Sequence, residues 1–319
     1  MDASLRVGVD GLVRRPALVA DGFDEAEIDR MLRSGALVRV RRGVYRLAGR
    51  DSTGAAAEHR LRARAAAPGL LSGAVFGFVT AAVLLGLPVW RVPLRRLHVV
   101  RDRSNGARIR GDLQIHSGRL REGDVLELTG GLRVTAPART VVDLARTVPA
   151  PQALVTLDGA LHRGIVAERV RRPDPSATTT GEISRALEPA AGSSGARAAR
   201  RALALADGLS ESPGETLSRF RMHVAGLPPP VLQWPVPGTR FRADFAWPDR
   251  GLVGEFDGRT KYGRALRPGT DPAEVLWQEK RREDRIRAEG LAVVRWVFPE
   301  IDDPGPNGMT ARLGPLVGR

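Results

Sequence analysis

The sequence predicts a fold of mixed α/β class, α+β overall, with an N-terminal winged helix, an α+β middle domain and a C-terminal α/β domain. Three patterns lead to this prediction. Near the N-terminus, two helical segments precede a hairpin. In the middle, strand-like runs alternate with helices, and near the C-terminus a helix, a hairpin, a helix and a buried-type strand follow one another. The three predicted domains cover residues 1–54, 55–195 and 196–319.

Composition limits the function. With 319 residues, 42% of them hydrophobic and 27% charged, the chain is globular and can bury a core. Its net charge of +14 indicates a polyanionic partner, above all nucleic acid. Cysteine is absent, which excludes disulfides and thiolate metal sites. The N-terminus lacks the layout of a signal peptide, so we expect a cytoplasmic protein.

The first domain has the pattern of a winged helix. Residues 12–20 suggest a short helix. Asp24 opens a second helix, with Glu27 at capping-box spacing, and Gly35 ends it. Residues 37–47 then alternate as a β-hairpin does, with a turn near Arg42-Gly43.

Arginine dominates the charge of this hairpin and of the helix before it. Residues 30–50 contain seven arginines and no acid. A surface that carries only positive charges suits binding to DNA phosphates. The alternative is that the hairpin is exposed to solvent and its charges have no partner. The candidate DNA-binding residues are Arg30, Arg33, Arg39, Arg41, Arg42 and Arg46.

The stretch ALVRVRRGVYRLAG closely resembles the wing of the N-terminal domain of AbiEi-type antitoxins. The stretches SGAVFGFVTAAVLLGLP and VTAPARTVVDLA resemble the middle region of the same family. The resemblance implies a winged helix that binds operator DNA near its own promoter. It also implies a cognate toxin, or another protein, as a second candidate partner.

The middle domain contains an uncharged run over residues 65–90. Serine, threonine, glycine and proline dilute its apolarity, so we expect a buried helix of about 14 residues ending at Gly86 rather than a membrane span. The five histidines lack metal-ligand spacing, so zinc is not expected. Further strands are expected at residues 97–100, 114–116 and 132–134.

A helix is expected after Pro137. Arg139 and Asp143, near its start, could act in catalysis, but a salt bridge at the start of the helix is the interpretation we prefer. Residues 166–205 are rich in loop-forming residues, and we place there the joint between the middle and C-terminal domains.

The C-terminal domain is organised around a predicted hairpin at residues 240–261. If its turn is centred on Asp249-Arg250, Asp244 lies directly opposite Glu255. Opposed carboxylates repel, and Asp257 shares the face of Glu255, so Mg²⁺ is a natural counter-charge. The alternative is neutralisation by Arg240, Arg242 and Arg259.

Three further residues could complete a catalytic site. Glu215 lies at the start of a helix. It could form a capping box with Ser212 or act in catalysis, and we weigh the two roles equally. Lys261 and Lys280 are the only lysines of the chain, and a lysine can orient a water. We favour Lys280, because a helix holds such geometry better than a loop does.

Residues 210–298 resemble the Vsr-like branch of the PD-(D/E)xK nuclease superfamily, through ADFAWP, GEFDG, the EKRRED helix and the GLAVVRW strand. The resemblance implies a restriction-endonuclease-like fold with Mg²⁺, or Mn²⁺, held by Asp244 and Glu255, and with Asp257 as a further ligand. The superfamily places a lysine where this chain has Asp257. Either Lys261 or Lys280 has taken over that role, or the domain binds DNA without cutting it.

The sequence therefore leads to a main hypothesis and two alternatives. The main hypothesis is a DNA-binding protein with a Mg²⁺-dependent endonuclease domain. The first alternative is an AbiEi-type antitoxin or transcriptional repressor whose nuclease-fold domain is non-catalytic. The second is a protein that neutralises a toxin by direct contact.

Overall fold

A computed structural model describes residues 5–49, 54–102, 106, 108–258 and 272–318. The predictions made for Arg259 and Lys261 lie outside these residues. The chain forms two compact units, one from Met1–Val148 and Gly181–Ala196, the other from Pro149–Thr180 and Arg197–Arg319. The division into three domains stays a prediction.

The first unit begins with the winged helix. Its strands form a three-stranded sheet in the order β1-β3-β2 with antiparallel pairing, and the loop of the wing is Arg42-Gly43. Gly43 has φ +73°, which glycine adopts at little cost. The elements are β1 (Val13–Arg14), α1 (Arg15–Ala20), α2 (Glu25–Arg33), β2 (Leu37–Arg41) and β3 (Val44–Leu47).

The first predicted helix is shorter than expected, because Val13 pairs with Tyr45 of the wing as a strand residue. The helix then begins at Arg15, directly before Pro16, a residue that suits a helix start. The core of this domain consists of Val13, Leu18, Ile28, Leu37 and Tyr45, each at most 1% exposed.

The rest of the first unit is built around a six-stranded sheet. Its strand order is β6-β7-β5-β4-β9-β8, so β6 and β8 form its edges. The elements are α3 (Ala55–Ala66), β4 (Val75–Phe76), α4 (Phe78–Leu84), β5 (Leu97–Arg101), β6 (Arg108–Arg110), β7 (Leu113–Ser117), β8 (Val125–Leu128), β9 (Leu132–Thr135) and α5 (Pro137–Ala145).

The uncharged run forms a shorter helix than predicted. α4 has seven residues rather than about 14, because Val75 and Phe76 before it pair with β5 and β9 as strand β4. The helix begins at Phe78, whose φ of +52° turns the chain from strand to helix. Six of the seven residues of α4 are buried, as a core helix requires. Among the described residues, no helix is long and apolar enough to cross a membrane.

The chain continues with α6 (Ala150–Val170), α7 (Thr180–Leu187) and α8 (Ala196–Leu205). α6 has 21 residues and runs into the region predicted as a joint. Its Asp158 is fully buried and accepts from the Arg219 guanidinium at 2.7 Å. Arg219 belongs to the helix that precedes the C-terminal sheet, so this ion pair fixes α6 to that helix within the second unit.

The second unit contains a four-stranded sheet in the order β10-β11-β12-β13. The first two pairings are antiparallel, and the last is parallel, with a helix crossing between its strands. The elements are α9 (Pro213–Val224), β10 (Val231–Pro235), β11 (Arg242–Trp247), β12 (Leu252–Phe256), α10 (Pro272–Ala288), β13 (Ala292–Trp296), α11 (Phe298–Ile301) and α12 (Met309–Val317).

The hairpin register is the predicted one. Phe245 pairs with Gly254 and Trp247 with Leu252, so the paired numbers sum to 499. One face of the sheet packs against α10 through Ala243, Val253 and Ile286, each fully buried. On the other face, the indole of Trp296 donates to the Ser218 hydroxyl of α9 at 2.7 Å. The sheet is therefore held between α9 and α10.

Candidate nucleic-acid interface and carboxylate site

The two helices of the winged helix have the spacing of a helix-turn-helix. Four residues, Asp21 to Asp24, join α1 to α2, and Gly22 among them has φ +93°. The predicted capping box is present: the Asp24 carboxylate accepts from Glu27 N at 2.7 Å, and the Glu27 carboxylate accepts from Asp24 N at 2.9 Å. The start of α2, the position of a recognition helix, is thereby fixed.

The six candidate DNA-binding arginines fall into two groups. Arg30 and Arg33 are exposed at the end of α2, and Arg39 and Arg42 are exposed on the wing. Arg30 has Glu27 at 3.8 Å, a loose ion pair one turn away. Arg41 and Arg46 are half-buried.

Arg41 has a protein partner. Its guanidinium donates to the Asp112 carboxylate at 2.9 Å, and both side chains are about one-third exposed. Asp112 lies in the turn between β6 and β7, and its carbonyl also accepts from Leu97 N at 2.8 Å. Arg41 therefore attaches the wing to the six-stranded sheet, whereas Arg39 and Arg42 point to solvent.

In the second unit, Asp244 and Glu215 come together. Glu215 is 7% exposed and accepts from the Ser212 hydroxyl at 2.7 Å, from Glu211 N at 2.9 Å and from Gln233 Nε2 at 3.1 Å. Burial raises the pKa of Glu215. Burial, and then the negative charge of Glu215, raise the pKa of Asp244 from 3.8 to about 6.

Glu255 has a different environment. It is 5% exposed, its Oε2 accepts from Arg282 at 3.1 Å, and Arg282 Nη2 forms an ion pair with Oε1 at 2.7 Å. Arg295, its direct partner in the β12–β13 pairing, lies 2.9 Å from the same carboxylate. Arg282 also donates to the Arg242 carbonyl at 3.0 Å. One buried acid is thus held between two guanidinium groups.

Among the described residues, these two arginines rather than Arg242 neutralise Glu255, and the role predicted for Arg259 lies outside those residues. The Arg242 side chain is exposed and donates to the Gln233 carbonyl at 3.0 Å, so it does not serve Glu255. Sequence reasoning missed Arg282 and Arg295 because their partner lies far away in the chain. An arginine in the buried-type strand AVVRW was the available signal for Arg295.

Two further predicted site residues, Lys280 and Asp257, lie within the described part of the chain. Lys280 is exposed on α10, and it is Arg282 that this helix brings to Glu255. Asp257 is half-buried, and its N–H donates to the Trp296 carbonyl at 2.8 Å. Across the described residues, no group of three or more His, Cys, Asp or Glu side chains is arranged to hold a metal ion. A Mg²⁺ ion does not fit at Glu255, since two fixed cations already occupy its carboxylate oxygens.

In the first unit, Arg139 and Asp143 form the preferred salt bridge at 2.8 Å, and Asp124 adds a second acid at 3.0 Å. Asp143 is 1% exposed, and burial raises its pKa. This cluster fixes the start of α5 to the loop before β8.

Three histidines also come together in this unit. His98 Nδ1 and His116 Nε2 lie 3.1 Å apart, and burial lowers the pKa of each to about 4. His59 donates to the Leu94 carbonyl at 2.8 Å and accepts from the Thr80 hydroxyl at 2.9 Å. These contacts make the three rings neutral packing elements at physiological pH.

Comparison with known proteins gives two family matches and two relatives that match over most of the chain. Residues 7–48 match the family described as "Transcriptional regulator, AbiEi antitoxin", and residues 74–205 match "AbiEi antitoxin C-terminal domain". The uncharacterised proteins Rv2248 and MT2308, from two strains of Mycobacterium tuberculosis, are each 34% identical to this chain over 294 residues. That match covers 90% of this chain and 94% of theirs.

A solved structure, that of the RV2827C protein from Mycobacterium tuberculosis, has a TM-score of 0.35 and 16% identity. It covers 64% of this chain and 84% of its own. Residues 206–319 lie beyond both family matches. The resemblance of the C-terminal domain to Vsr-like nucleases therefore stays a prediction.

Proposed function

This chain belongs to the family of the mycobacterial protein Rv2248 and carries both AbiEi antitoxin domains, and from this premise we propose that it is a transcriptional regulator whose winged helix binds operator DNA. The observation that carries the proposal is the helix-turn-helix with exposed arginines on both of its DNA-facing elements. Arg30 and Arg33 lie on α2, and Arg39 and Arg42 lie on the wing. In proteins of this kind the second helix enters the major groove, and flanking cations contact phosphates.

The wing arginines provide the test. Replacing Arg39 and Arg42 with alanine should weaken binding to all duplex sequences, because phosphate contacts carry no sequence information. The slope of log K against log salt should flatten by about 0.9 for each phosphate that the variant no longer neutralises. Fluorescence anisotropy with a duplex from the chain's own promoter region, at several salt concentrations, measures both effects.

The matched control removes two exposed arginines elsewhere. Arg169 and Arg172, at and just beyond the end of α6, are exposed and lie outside the winged helix. Their replacement with alanine lowers the net charge equally and should leave the slope unchanged. If the wing variant and this control behave alike, the wing does not contact DNA.

A toxin partner is the second part of what the family implies. Both matched families are described as antitoxins, and on this basis we propose that the chain has a cognate toxin. Co-expression with proteins encoded next to this chain, followed by copurification, tests it.

For the C-terminal domain, we propose a binding role without catalysis. The element order α9-β10-β11-β12-α10-β13 suits the restriction-endonuclease-like fold implied by the sequence. The metal position at Glu255 is filled by Arg282 and Arg295, and Asp257 replaces the superfamily lysine. These features support a nuclease fold that has lost its metal chemistry.

Supercoiled and linear DNA provide the test of this second proposal. Neither should be cut by the purified protein with Mg²⁺ or Mn²⁺, and DNA affinity should be the same in EDTA. Metal-dependent cleavage that disappears on Asp244→Asn would establish an endonuclease instead.

A further inference from the structure

α10 buries one side and exposes the other. Ile286 is fully buried in the core, and Arg282 reaches Glu255 from the same side. Helical residues advance by about 100° each, so Trp277, nine positions before Ile286, lies on the opposite face. Trp277 is accordingly 56% exposed. Among the described residues, this indole is not part of the apolar cluster between α10 and the sheet.

The same outer face carries a row of cations. The Arg281 guanidinium lies 4.6 Å from the centre of the Trp277 ring, in cation–π contact. Lys280 and Arg285 are exposed on the adjacent turns, and Asp284 is the acid among them. Counting these four and the exposed Glu274 one turn before Trp277, the face holds three positive charges and two negative charges, a net of +1.

This combination has a specific chemical use. Single-stranded nucleic acids are bound by aromatic side chains on which bases stack, flanked by cations that contact the phosphates. The distance along α10 from Trp277 to Arg285 is about 12 Å, enough for a base and its neighbouring phosphates. A single exposed apolar residue needs no explanation by itself. An exposed indole beside three cations, in a chain of net charge +14, favours a polyanion with unpaired bases.

We propose that the outer face of α10 is a second nucleic-acid contact of this chain, where an unpaired base stacks on Trp277. Lys280, Arg281 and Arg285 contact the adjacent phosphates. The ligand is single-stranded DNA or RNA, or the unpaired segment of a distorted duplex. This contact is independent of the winged helix and of any metal.

The experiment uses the full-length chain and a fluorescein-labelled 20-nucleotide oligo(dT). Trp277→Ala should weaken binding on the order of tenfold, since stacking contributes about 1 to 3 kcal/mol per base. Trp277→Phe should retain most of the affinity. Replacing Lys280 and Arg285 with alanine should flatten the salt slope by about 0.7 for each phosphate concerned, the value for single strands.

The chain offers a matched control. Trp90 also lies beside an arginine, with the Arg91 guanidinium 5.2 Å from its ring, but in the first unit. Trp90→Phe should leave oligo(dT) binding unchanged. Because Trp277 is on the solvent face, its variants should unfold at the wild-type temperature, which separates weaker binding from a failure to fold.

The outcomes are distinct. If Trp277→Ala binds oligo(dT) with wild-type affinity and salt slope, the proposal is wrong. It is also wrong if Trp277→Ala loses binding to a protein partner but keeps wild-type binding to oligo(dT), because the outer face of α10 is then a protein interface. Duplex binding by the Arg39 and Arg42 variant, measured in parallel, reports on the regulator function separately.

Discussion

At the scale of single residues, Asp244 and Glu255, two acids on neighbouring strands, have opposite environments. The β11–β12 register pairs Phe245 with Gly254, one position from each acid, and the direct pairing of Asp244 with Glu255 stays a prediction. Glu255 is neutralised by two arginines, whereas the nearest strong influence on Asp244 after burial is another carboxylate, Glu215. The sequence could show that the two strands would form a hairpin with this register, because strand register follows from local alternation. It could not show that Arg282 and Arg295 would reach one acid and leave the other.

This difference predicts stability changes of opposite sign at pH 7. Glu255→Gln removes the buried carboxylate that Arg282 and Arg295 share, while Arg295 keeps Glu283 at 3.3 Å, and should destabilise the protein by about 3 kcal/mol. Asp244→Asn keeps an oxygen that can accept from Phe256 N, a bond of 2.9 Å in the native protein. It removes a charge that burial disfavours, so it should be neutral or stabilising. Urea unfolding of the two variants checks the signs.

The pH dependence of Asp244 gives an independent check of the same interpretation. Its folded pKa of about 6 lies above the usual 3.8, so the native state binds the proton more tightly. The resulting stability is present in full below about pH 4 and is lost as the pH rises through 6, by at most about 3 kcal/mol. The difference in unfolding free energy between wild type and Asp244→Asn should follow this curve. His98 and His116, whose lowered pKa values act in the opposite direction, cancel in that difference. A flat difference would mean that Asp244 is ionised normally.

At the scale of elements, the sequence predicted those structures that depend on residues close together in the chain. The capping box of α2, the wing and the C-terminal hairpin were all predicted and are confirmed. The edge strands β6 and β8 and the strand β10 were missed. The short β4 was absorbed into a predicted helix, since two residues become a strand only when β5 and β9 lie on either side. α6 was missed although its apolar residues, such as Leu154, Leu157 and Leu161, recur at helical spacing.

The attachment of the wing gives a prediction at this scale. Asp112→Asn removes the charge that holds Arg41 and should change stability by less than about 1 kcal/mol, because the pair is partly exposed. The wing then loses its fixed orientation, so DNA affinity should fall several-fold. The salt slope should stay unchanged, since Arg39 and Arg42 remain. DNA anisotropy and thermal unfolding on the same samples measure these quantities.

A comparable substitution elsewhere serves as the reference. Asp302→Asn breaks an exposed pair with Arg221, a 2.5 Å ion pair in the second unit. It should alter neither affinity nor slope. Equal DNA affinity of the Asp112 variant and wild type would show that Arg41 does not orient the wing.

At the scale of the whole molecule, the composition predicts a class of partner but not the organisation of the chain. The excess of positive charge indicates nucleic acid, and one matched family is described as a transcriptional regulator. The grouping of residues into two compact units was beyond sequence reasoning, because it depends on long-range interactions such as the buried pair Asp158–Arg219. Neither residue lies in a motif that would connect positions 61 apart.

The path of the chain through the two units has a consequence for how the gene is inherited. Each unit is encoded by two separate stretches, and the chain passes from one unit to the other three times, near residues 148, 180 and 196. A recombination event with one breakpoint inside residues 149–196 would give each descendant gene an incomplete unit. We expect such products to fold poorly, because a unit lacks part of its own core. This architecture therefore favours descent as a whole, which agrees with relatives that match 90% of the chain rather than one part of it.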